Sequence, residues 1–154
     1  MRSLLVLFSY HHKNTEKIAN VFAEVLDARI EKPHRLDPEG LQDYDLVGFG
    51  SGLYDEQHHK TLLELADKLP QVTDRRAFLF STSGVTEKSE VAKAHAPLRE
   101  KLQAKGYVIV GEFNCAGFNT NSFLRLLGGI NKGRPNSEDL KRAEEFAQKL
   151  KQSF

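Results

Sequence analysis

The chain has 154 residues, 40% of them hydrophobic and 28% charged, and its 22 basic and 21 acidic residues leave a formal charge of +1. This length suits one compact domain spanning 1–154, and the balanced charge argues against a nucleic-acid-binding module, which carries a clustered basic face. The single cysteine excludes an internal disulfide and argues against a structural zinc site, so we expect a protein of the reducing cytoplasm.

The apolar runs are too short for a membrane span. The longest, Leu4 to Phe8, falls well below the ~20 residues that a transmembrane helix needs. The N-terminus carries Arg2 but no small-residue cleavage site, so it does not resemble a signal peptide. We therefore expect a soluble protein without membrane contacts.

Short apolar runs predict the strands of a parallel sheet. Four of the runs are continuous rather than alternating, which is typical of strands buried on both faces. A weaker fifth run follows the first helical segment. In chain order, the strands are predicted at 3–8, 28–31, 45–49, 77–81 and 108–113.

Apolar residues at helical spacing predict four helices, at 15–26, 59–69, 96–105 and 137–152. Pro97 suits the start of the third helix and Gly106 the position after its end. The fourth helix is entered through Pro135-Asn136-Ser137, where a side chain can cap its free N–H groups. Alternating strands and helices predict an α/β domain with helices on both faces of the sheet. The apolar segment 115–136 is the irregular part, where we expect a short helix at 122–127.

Three segments follow strands and should meet at one edge of the sheet: 9–15, 50–58 and 82–88. Ligands of doubly wound sheets bind at this edge, where the strand order reverses. The first segment, Ser9-Tyr10-His11-His12-Lys13-Asn14-Thr15, runs straight into a helix, whose N–H groups and dipole favour an anion such as phosphate. Ser9, Asn14 and Thr15 add hydrogen-bond donors and Lys13 a positive charge. The alternative is that Asn14 or Thr15 only caps the helix.

The other two segments suit a planar ring. In Gly50-Ser51-Gly52-Leu53-Tyr54 the glycines can adopt positive φ and let a ligand approach the backbone, and Tyr54 is able to stack on a ring. The alternative is a mobile turn with a surface tyrosine. In Ser81-Thr82-Ser83-Gly84, small residues and backbone N–H groups form a nest for polar ring edges or an anion.

Other phosphate-binding motifs are absent from the sequence. Neither G-x-G-x-x-G nor G-x-x-x-x-G-K-[ST] occurs. The strand ends at 8–9 and 49–50 also lack the carboxylates with which a phosphorelay receiver domain binds Mg²⁺.

Four segments together resemble the flavodoxin family: 8–19, 48–54, 80–84 and 133–140. They lie in the family's order and extend over essentially the whole chain. The resemblance implies a three-layer, doubly wound fold with a five-stranded parallel sheet of order 2-1-3-4-5, and FMN as the cofactor. It implies that the phosphate lies on the first segment and the ring between the second and third, with contacts from Ser9, Tyr10, His12, Lys13, Asn14, Thr15, Ser51, Gly52, Leu53, Tyr54, Thr82, Ser83 and Gly84.

The first segment departs from the family's pattern. Tyr10 and His12 stand where the family has hydroxyl residues and Lys13 where it has glycine, whereas Asn14-Thr15 are kept. The net charge near zero also differs from that of the strongly acidic classical flavodoxins. We therefore expect a divergent branch whose redox potential lies above theirs.

Electron transfer between redox partner proteins, with FMN as the carrier, is the main functional hypothesis. A backbone carbonyl near Gly50-Ser51-Gly52 would face the flavin N5–H, and the N–H groups of Thr82, Ser83 and Gly84 would face the pyrimidine edge. One alternative is an FMN-dependent NAD(P)H oxidoreductase acting on quinones, with segment 118–130 roofing the flavin. The other is a flavodoxin-like module that has lost its flavin.

Histidine and cysteine chemistry contributes less to these hypotheses. The adjacent pairs His11-His12 and His58-His59 do not complete a metal-binding set, so we expect no metal site. Cys115 has no partner cysteine and is expected to be structural.

Overall fold

The computed structural model of the chain describes residues 1–9, 13–117 and 133–154. In this part the strands are Ser3–Phe8 (β1), Arg29–Glu31 (β2), Leu46–Tyr54 (β3), Gln57–His58 (β4), Arg75–Ser83 (β5) and Tyr107–Ala116 (β6). The helices are Asn14–Leu26 (α1), Lys60–Lys68 (α2), Lys88–Ala104 (α3) and Ser137–Gln152 (α4). Two 3₁₀ helices, Pro33–Arg35 and Pro38–Asp43, connect β2 to β3.

The main strands form a parallel, doubly wound sheet in the order β2-β1-β3-β5-β6. This confirms the flavodoxin-like strand order. The sheet nevertheless has six strands rather than the expected five, because β4 pairs antiparallel with the end of β3, Leu53 opposite His58 and Tyr54 opposite Gln57. The loop expected after residue 49 is therefore a β-hairpin.

Two apolar clusters hold the three layers together. The first packs the sheet against α2 and α3, and the second packs it against α1 and α4. Alternate residues of β1 enter opposite clusters, Leu4 the first and Leu5 the second, which explains its continuous apolar run. In the second cluster Phe22 contacts four phenylalanine rings at centroid distances of 5.1–5.6 Å. Burying each such ring stabilises the fold by roughly 1.5–3 kcal/mol.

Glycines in β3 make room for the rings of β5. A Cβ at Gly48 or Gly50 would collide with the ring of Phe78 or Phe80. Gly50 and Gly52 do not adopt the positive φ that glycine allows, since among the described glycines only Gly106 and Gly133 have one. Close packing, rather than backbone freedom, explains the glycine at position 50.

Helix α3 begins at Lys88, eight residues before the predicted start at 96, so that Pro97 lies inside the helix. The apolar stripe that includes Ala94 and Leu98 is buried across the proline, and this burial offsets the backbone bond that proline cannot make. The Arg99 Nη2 also donates to the carbonyl of Ala92, 3.1 Å away in the turn before Pro97. The helix ends as predicted, with Gly106 just beyond its last turn at a φ of 99°.

The start of α4 confirms the predicted cap. The Asn136 side chain accepts a hydrogen bond from the Asp139 N–H at 3.0 Å, and the Asp139 carboxylate accepts one from the Asn136 N–H at 2.8 Å. The short helix expected at 122–127 lies outside the described residues. Within the described ranges, no helix combines the length and apolar character required to cross a bilayer.

Candidate functional site

The carboxyl ends of β1, β3 and β5 bring the three predicted segments to one edge of the sheet. Phe8 lies opposite Ser51, and Gly52 lies opposite Thr82. The buried hydroxyls of Thr15 and Thr82 are 2.8 Å apart, so the first turn of α1 is joined directly to the end of β5. Two of the predicted contacts in the first segment, Tyr10 and His12, lie outside the described residues.

Helix α1 has Lys13 at its N-cap position, in the left-handed conformation with φ 52° and ψ 36°, and the Lys13 side chain makes no capping hydrogen bond. The N-cap position is therefore not occupied by Asn14 or Thr15, which lie in the first turn of the helix. The first-turn N–H groups, the positive end of the helix dipole and the exposed Lys13 together form a setting that favours an anion.

The hydroxyl of Ser9 adds a donor beside this helix end. The Ser9 Oγ is buried and has no hydrogen-bond partner in the part of the chain that the structure describes. A buried hydroxyl without a partner costs about 1–3 kcal/mol, which a ligand oxygen would recover.

The start of the second segment is paired strand rather than a turn. The buried Ser51 Oγ donates to the Gly52 carbonyl at 2.5 Å and accepts from the His59 N–H at 3.0 Å. The hydrogen of the Ser51 hydroxyl is therefore already used within the protein. Leu53 and Tyr54 are half-buried and belong to the hairpin, whose turn residues Asp55 and Glu56 have φ values of 49° and 62°.

Three aromatic rings pack at the base of this hairpin: Phe8, Tyr54 and His59. The Phe8 and His59 rings stack with their centroids 3.6 Å apart and an interplanar angle of 8°, and Tyr54 meets both rings edge-on. These residues form an aromatic cluster next to the end of β1, which suits a planar ligand. The sequence analysis named Tyr54 as a stacking residue, whereas it considered His59 only as a member of the His58-His59 pair.

The two histidines of the hairpin lie in different environments. His58 is buried and donates from Nε2 to the Phe80 carbonyl at 3.0 Å, and its burial lowers its pKa to about 3. His59 instead accepts from the Thr61 N–H at its Nδ1 and stacks on Phe8, and partial burial lowers its pKa as well. The imidazoles of His58 and His59 thus bond to different residues, Phe80 and Thr61. Residues 1–9, 13–117 and 133–154 contain no cluster of three or more potential metal ligands.

The third segment is the end of β5. Thr82 is buried, and the Ser83 Oγ donates to the Val85 carbonyl at 2.6 Å while accepting from the Asn114 Nδ2 at 3.0 Å. These bonds hold the backbone that leads into Gly84. Asn114 lies beyond the strand predicted at 108–113, and the sequence analysis gave it no role.

Cys115 lies inside β6 rather than just past the end of the strand. It is buried, and this burial raises the pKa of its thiol to about 12. The reactive thiolate is therefore scarce at neutral pH, which agrees with a structural role.

Residues 5–117 match the family model for a flavodoxin domain. The chain belongs to the flavodoxin family. This flavodoxin-family chain is 43% identical over 150 residues to an uncharacterized protein of Methanocaldococcus jannaschii, covering 97% of this chain and 98% of the relative.

Solved structures with similar folds include both flavodoxins and an oxidoreductase. Oxidised Flavodoxin 2 from Bacillus cereus has a TM-score of 0.75 at 19% identity, with 100% of both chains covered. A Fusobacterium nucleatum flavodoxin bound to flavin mononucleotide has a TM-score of 0.69 at 13% identity, covering 100% of this chain and 99% of that one. An NADH:FMN oxidoreductase in its apo form has a TM-score of 0.68 at 17% identity, covering 100% of this chain and 90% of that one.

Proposed function

We propose that this chain binds FMN and carries electrons between redox partner proteins. The observation that carries the proposal is the 2.8 Å contact between the buried hydroxyls of Thr15 and Thr82. This contact joins the uncapped end of α1, suited to a phosphate, to the backbone of β5, suited to a ring edge. The flavodoxin bound to flavin mononucleotide supports FMN as the ligand.

The described residues fit this cofactor. The helix N–H groups and Lys13 offer positive potential to a phosphate dianion, and the Ser9 hydroxyl lacks another partner in the described ranges. The aromatic cluster of Phe8, Tyr54 and His59 offers a surface to the ring.

The chemistry would belong to the flavin, which supplies one- and two-electron transfer when bound. The chain's residues bind and orient it: Lys13, Asn14 and Thr15 at the phosphate, and the N–H groups of 82–84 at the pyrimidine edge, where they favour negative charge. Residues 50–52 are paired strand residues. We therefore assign the carbonyl for the flavin N5–H to the hairpin at 53–56 rather than to 50–52.

An absorbance spectrum of the purified protein, followed by titration with FMN, FAD and riboflavin, tests the proposal. We expect tight FMN binding and at least about tenfold weaker riboflavin binding, since riboflavin lacks the phosphate and tenfold corresponds to about 1.4 kcal/mol. Absence of binding by all three flavins would contradict the proposal and favour a flavodoxin-like module without flavin.

Charge reversal at the helix start tests the phosphate site. We expect Lys13→Glu to weaken FMN binding by about tenfold and to leave riboflavin binding unchanged, because only the phosphate meets this charge. Thr15→Ala should weaken FMN binding as well, since it removes the hydroxyl bonded to Thr82. Isothermal titration calorimetry measures both effects.

Lys17→Glu is the matched control, because Lys17 is an exposed lysine one turn further along α1. It carries the same charge change away from the helix end and should alter FMN affinity less than threefold, as the dipole effect fades within the first turn. Equal losses in the two lysine variants would overturn the assignment of the phosphate to Lys13.

An FMN-dependent NAD(P)H oxidoreductase is the second candidate, and a cavity beside β6 favours it. The cavity has a volume of about 470 Å³ and reaches Ala116, the residue opposite Ser83 in the sheet. Its cationic lining residues are Lys88, Arg99, Arg134 and Arg142. Arg99 is paired with Glu112 and Arg134 with Asp139, so the exposed Lys88 and Arg142 are the lining cations best able to receive the phosphates of a nicotinamide nucleotide.

Steady-state assays distinguish the two candidates. NADH or NADPH oxidation by the FMN-loaded protein in the presence of a quinone would establish the enzyme, and we then expect Arg142→Glu to raise KM for the nucleotide. Reversible reduction without turnover of either nucleotide would support the carrier.

A further inference from the structure

A chain of hydrogen bonds runs beneath the third segment, through residues that the proposed flavin contacts do not include. It begins at the Val85 carbonyl, which accepts from the Ser83 hydroxyl. The Asn114 Nδ2 donates to the Ser83 Oγ at 3.0 Å and to the Ser81 Oγ at 2.8 Å. We name it the Asn114 chain.

The Asn114 chain continues to a buried histidine and an ion pair. The Ser81 Oγ lies 2.7 Å from the His95 Nε2, and the His95 Nδ1 lies 2.9 Å from the Glu112 Oε1. The Arg99 guanidinium donates two hydrogen bonds to the same carboxylate, each of 2.9 Å. Ser81 is 0% exposed and His95 is 1% exposed.

The hydrogen bonds at both ends of the chain have defined donors. The Ser83 hydroxyl donates to a carbonyl, so it accepts from the amide of Asn114, whose two hydrogens are shared between Ser83 and Ser81. At the other end His95 and Arg99 lower the pKa of Glu112 to about 2, so that the ionised carboxylate accepts from the His95 Nδ1–H. This bond fixes the ring of His95 and leaves its Nε2 for the Ser81 Oγ.

The end of β5 is thereby held from both faces of the sheet. Ser81 and Ser83 share one face, on which Asn114 bonds to both, whereas Thr82 points to the other face and bonds to Thr15. Removal of the Asn114 amide would leave the buried Ser81 hydroxyl without this donor. The lost hydrogen bond would lower the free energy needed to open the end of β5.

We propose that Asn114 and His95 are positioning residues for the cofactor: they fix the backbone of 82–84, whose N–H groups face the ring edge. This inference rests on the proposed function for the identity of the ligand. The geometry assigns neither residue to the ligand itself, since Asn114 and His95 act through Ser81 and Ser83.

Amide hydrogen exchange in the flavin-free protein tests the proposal without any cofactor. We expect Asn114→Ala to speed exchange of the 83–85 amides at least tenfold while leaving the amides of α1 and α4 unchanged. Gln71→Ala is the matched control, because the Gln71 side-chain amide donates to the Ala104 carbonyl on the exposed surface. That control should leave the 83–85 amides unchanged.

The FMN-loaded protein supplies a second readout. We expect Asn114→Ala to lower the potential for two-electron reduction, because N–H groups that are less well fixed stabilise negative charge less. His95→Leu should act in the same direction, and His95→Gln, which retains a hydrogen-bonding group, should recover part of the effect.

Unchanged exchange at 83–85 in Asn114→Ala would overturn the proposal. A uniform rise across all strands would overturn it too, since Asn114 would then serve only global stability. Failure of the wild-type protein to bind FMN would contradict the proposed function, whereas the exchange of the flavin-free variants would still decide whether the Asn114 chain fixes this backbone.

Discussion

His58 illustrates how burial sets the chemistry of a single residue. Its ring is 1% exposed, its Nε2–H is used by the Phe80 carbonyl, and its Nδ1 has no partner in the described part of the chain. Desolvation by burial, reinforced by the neighbouring His95, lowers its pKa to about 3. The imidazole is therefore neutral at physiological pH and serves the packing between β4 and β5.

This burial makes stability depend on pH. Between pH 6.5 and 3 the unfolded chain binds a proton at residue 58 that the folded chain does not, so the free energy of unfolding falls as pH drops, by up to about 1.4 kcal/mol per pH unit. We expect His58→Gln to be less stable at pH 7 but to lose less stability on acidification. Urea unfolding from pH 6.5 to 5, above the range in which Glu112 titrates, measures the two slopes. If the free energy of unfolding fell equally steeply with pH in both proteins, the pH dependence would not come from His58.

The proposed site residues fall into two groups with respect to the sequence. Lys13 and Thr15 could be proposed from a local pattern, because they lie between a strand and the first turn of a helix. Asn114 and His95 could not be predicted, because their partners lie on β5, and only the register of β5 against β6 places Asn114 opposite Ser81. Hydrogen bonds between distant segments leave no periodic signal.

The β3–β4 hairpin is the element in which prediction and structure differ most. The sequence Gly50-Ser51-Gly52 has the composition of a turn, yet these residues lie within β3. Gly50 leaves space there for the ring of Phe80. The turn falls instead at Asp55 and Glu56, both with positive φ. A two-residue hairpin turn with two positive φ values favours Asn-Gly, since Asn and Asp tolerate the left-handed conformation, whereas the side chain of Glu56 is strained there.

Replacing the turn by its favoured sequence should stabilise the protein. We expect Asp55→Asn with Glu56→Gly to raise the free energy of unfolding by about 1 kcal/mol, because the left-handed conformation costs a residue with a Cβ about 1–2 kcal/mol. Alanine at both positions keeps that cost and should give no gain. Urea denaturation at pH 7 compares the variants, and a gain with alanine equal to that with Asn-Gly would assign the effect to the lost charges instead.

The predicted start of helix α3 was wrong for a different physical reason. Proline is favoured in the first turn of a helix, and on that rule alone Pro97 marks a start. Burial of the stripe through Ala94 and Leu98 outweighs the rule here, and Gly106 still ends the helix because its φ of 99° suits glycine.

For the whole molecule, the fold class was predictable because buried parallel strands and amphipathic helices have distinct hydrophobic periods. The strand order came instead from the resemblance to the flavodoxin family. The predicted edge also follows from topology, since the strand order reverses between β1 and β3. Segment 118–132 lies outside the described residues. The short helix expected in it, and the role of 118–130 as a roof over the flavin, therefore stay predictions.

Ligand binding should be visible in the stability of the entire chain. A ligand that binds only the folded state stabilises it by about 2.7 kcal/mol at one hundred times its Kd. We expect FMN to raise the thermal unfolding midpoint progressively with concentration, and riboflavin to raise it less at the same concentration. Scanning calorimetry measures both, and identical shifts would contradict a phosphate-dependent site.

The separation of the two apolar clusters by the sheet has a consequence for substitutions in the interior. None of the described buried residues belongs to both clusters: Ile18 lies in one and Leu62 in the other. The energetic effects of Ile18→Val and Leu62→Ala should therefore add to within about 0.5 kcal/mol in a double-mutant cycle. Substitutions in one cluster can then be tolerated without compensating changes in the other, so the two halves of the interior can evolve independently.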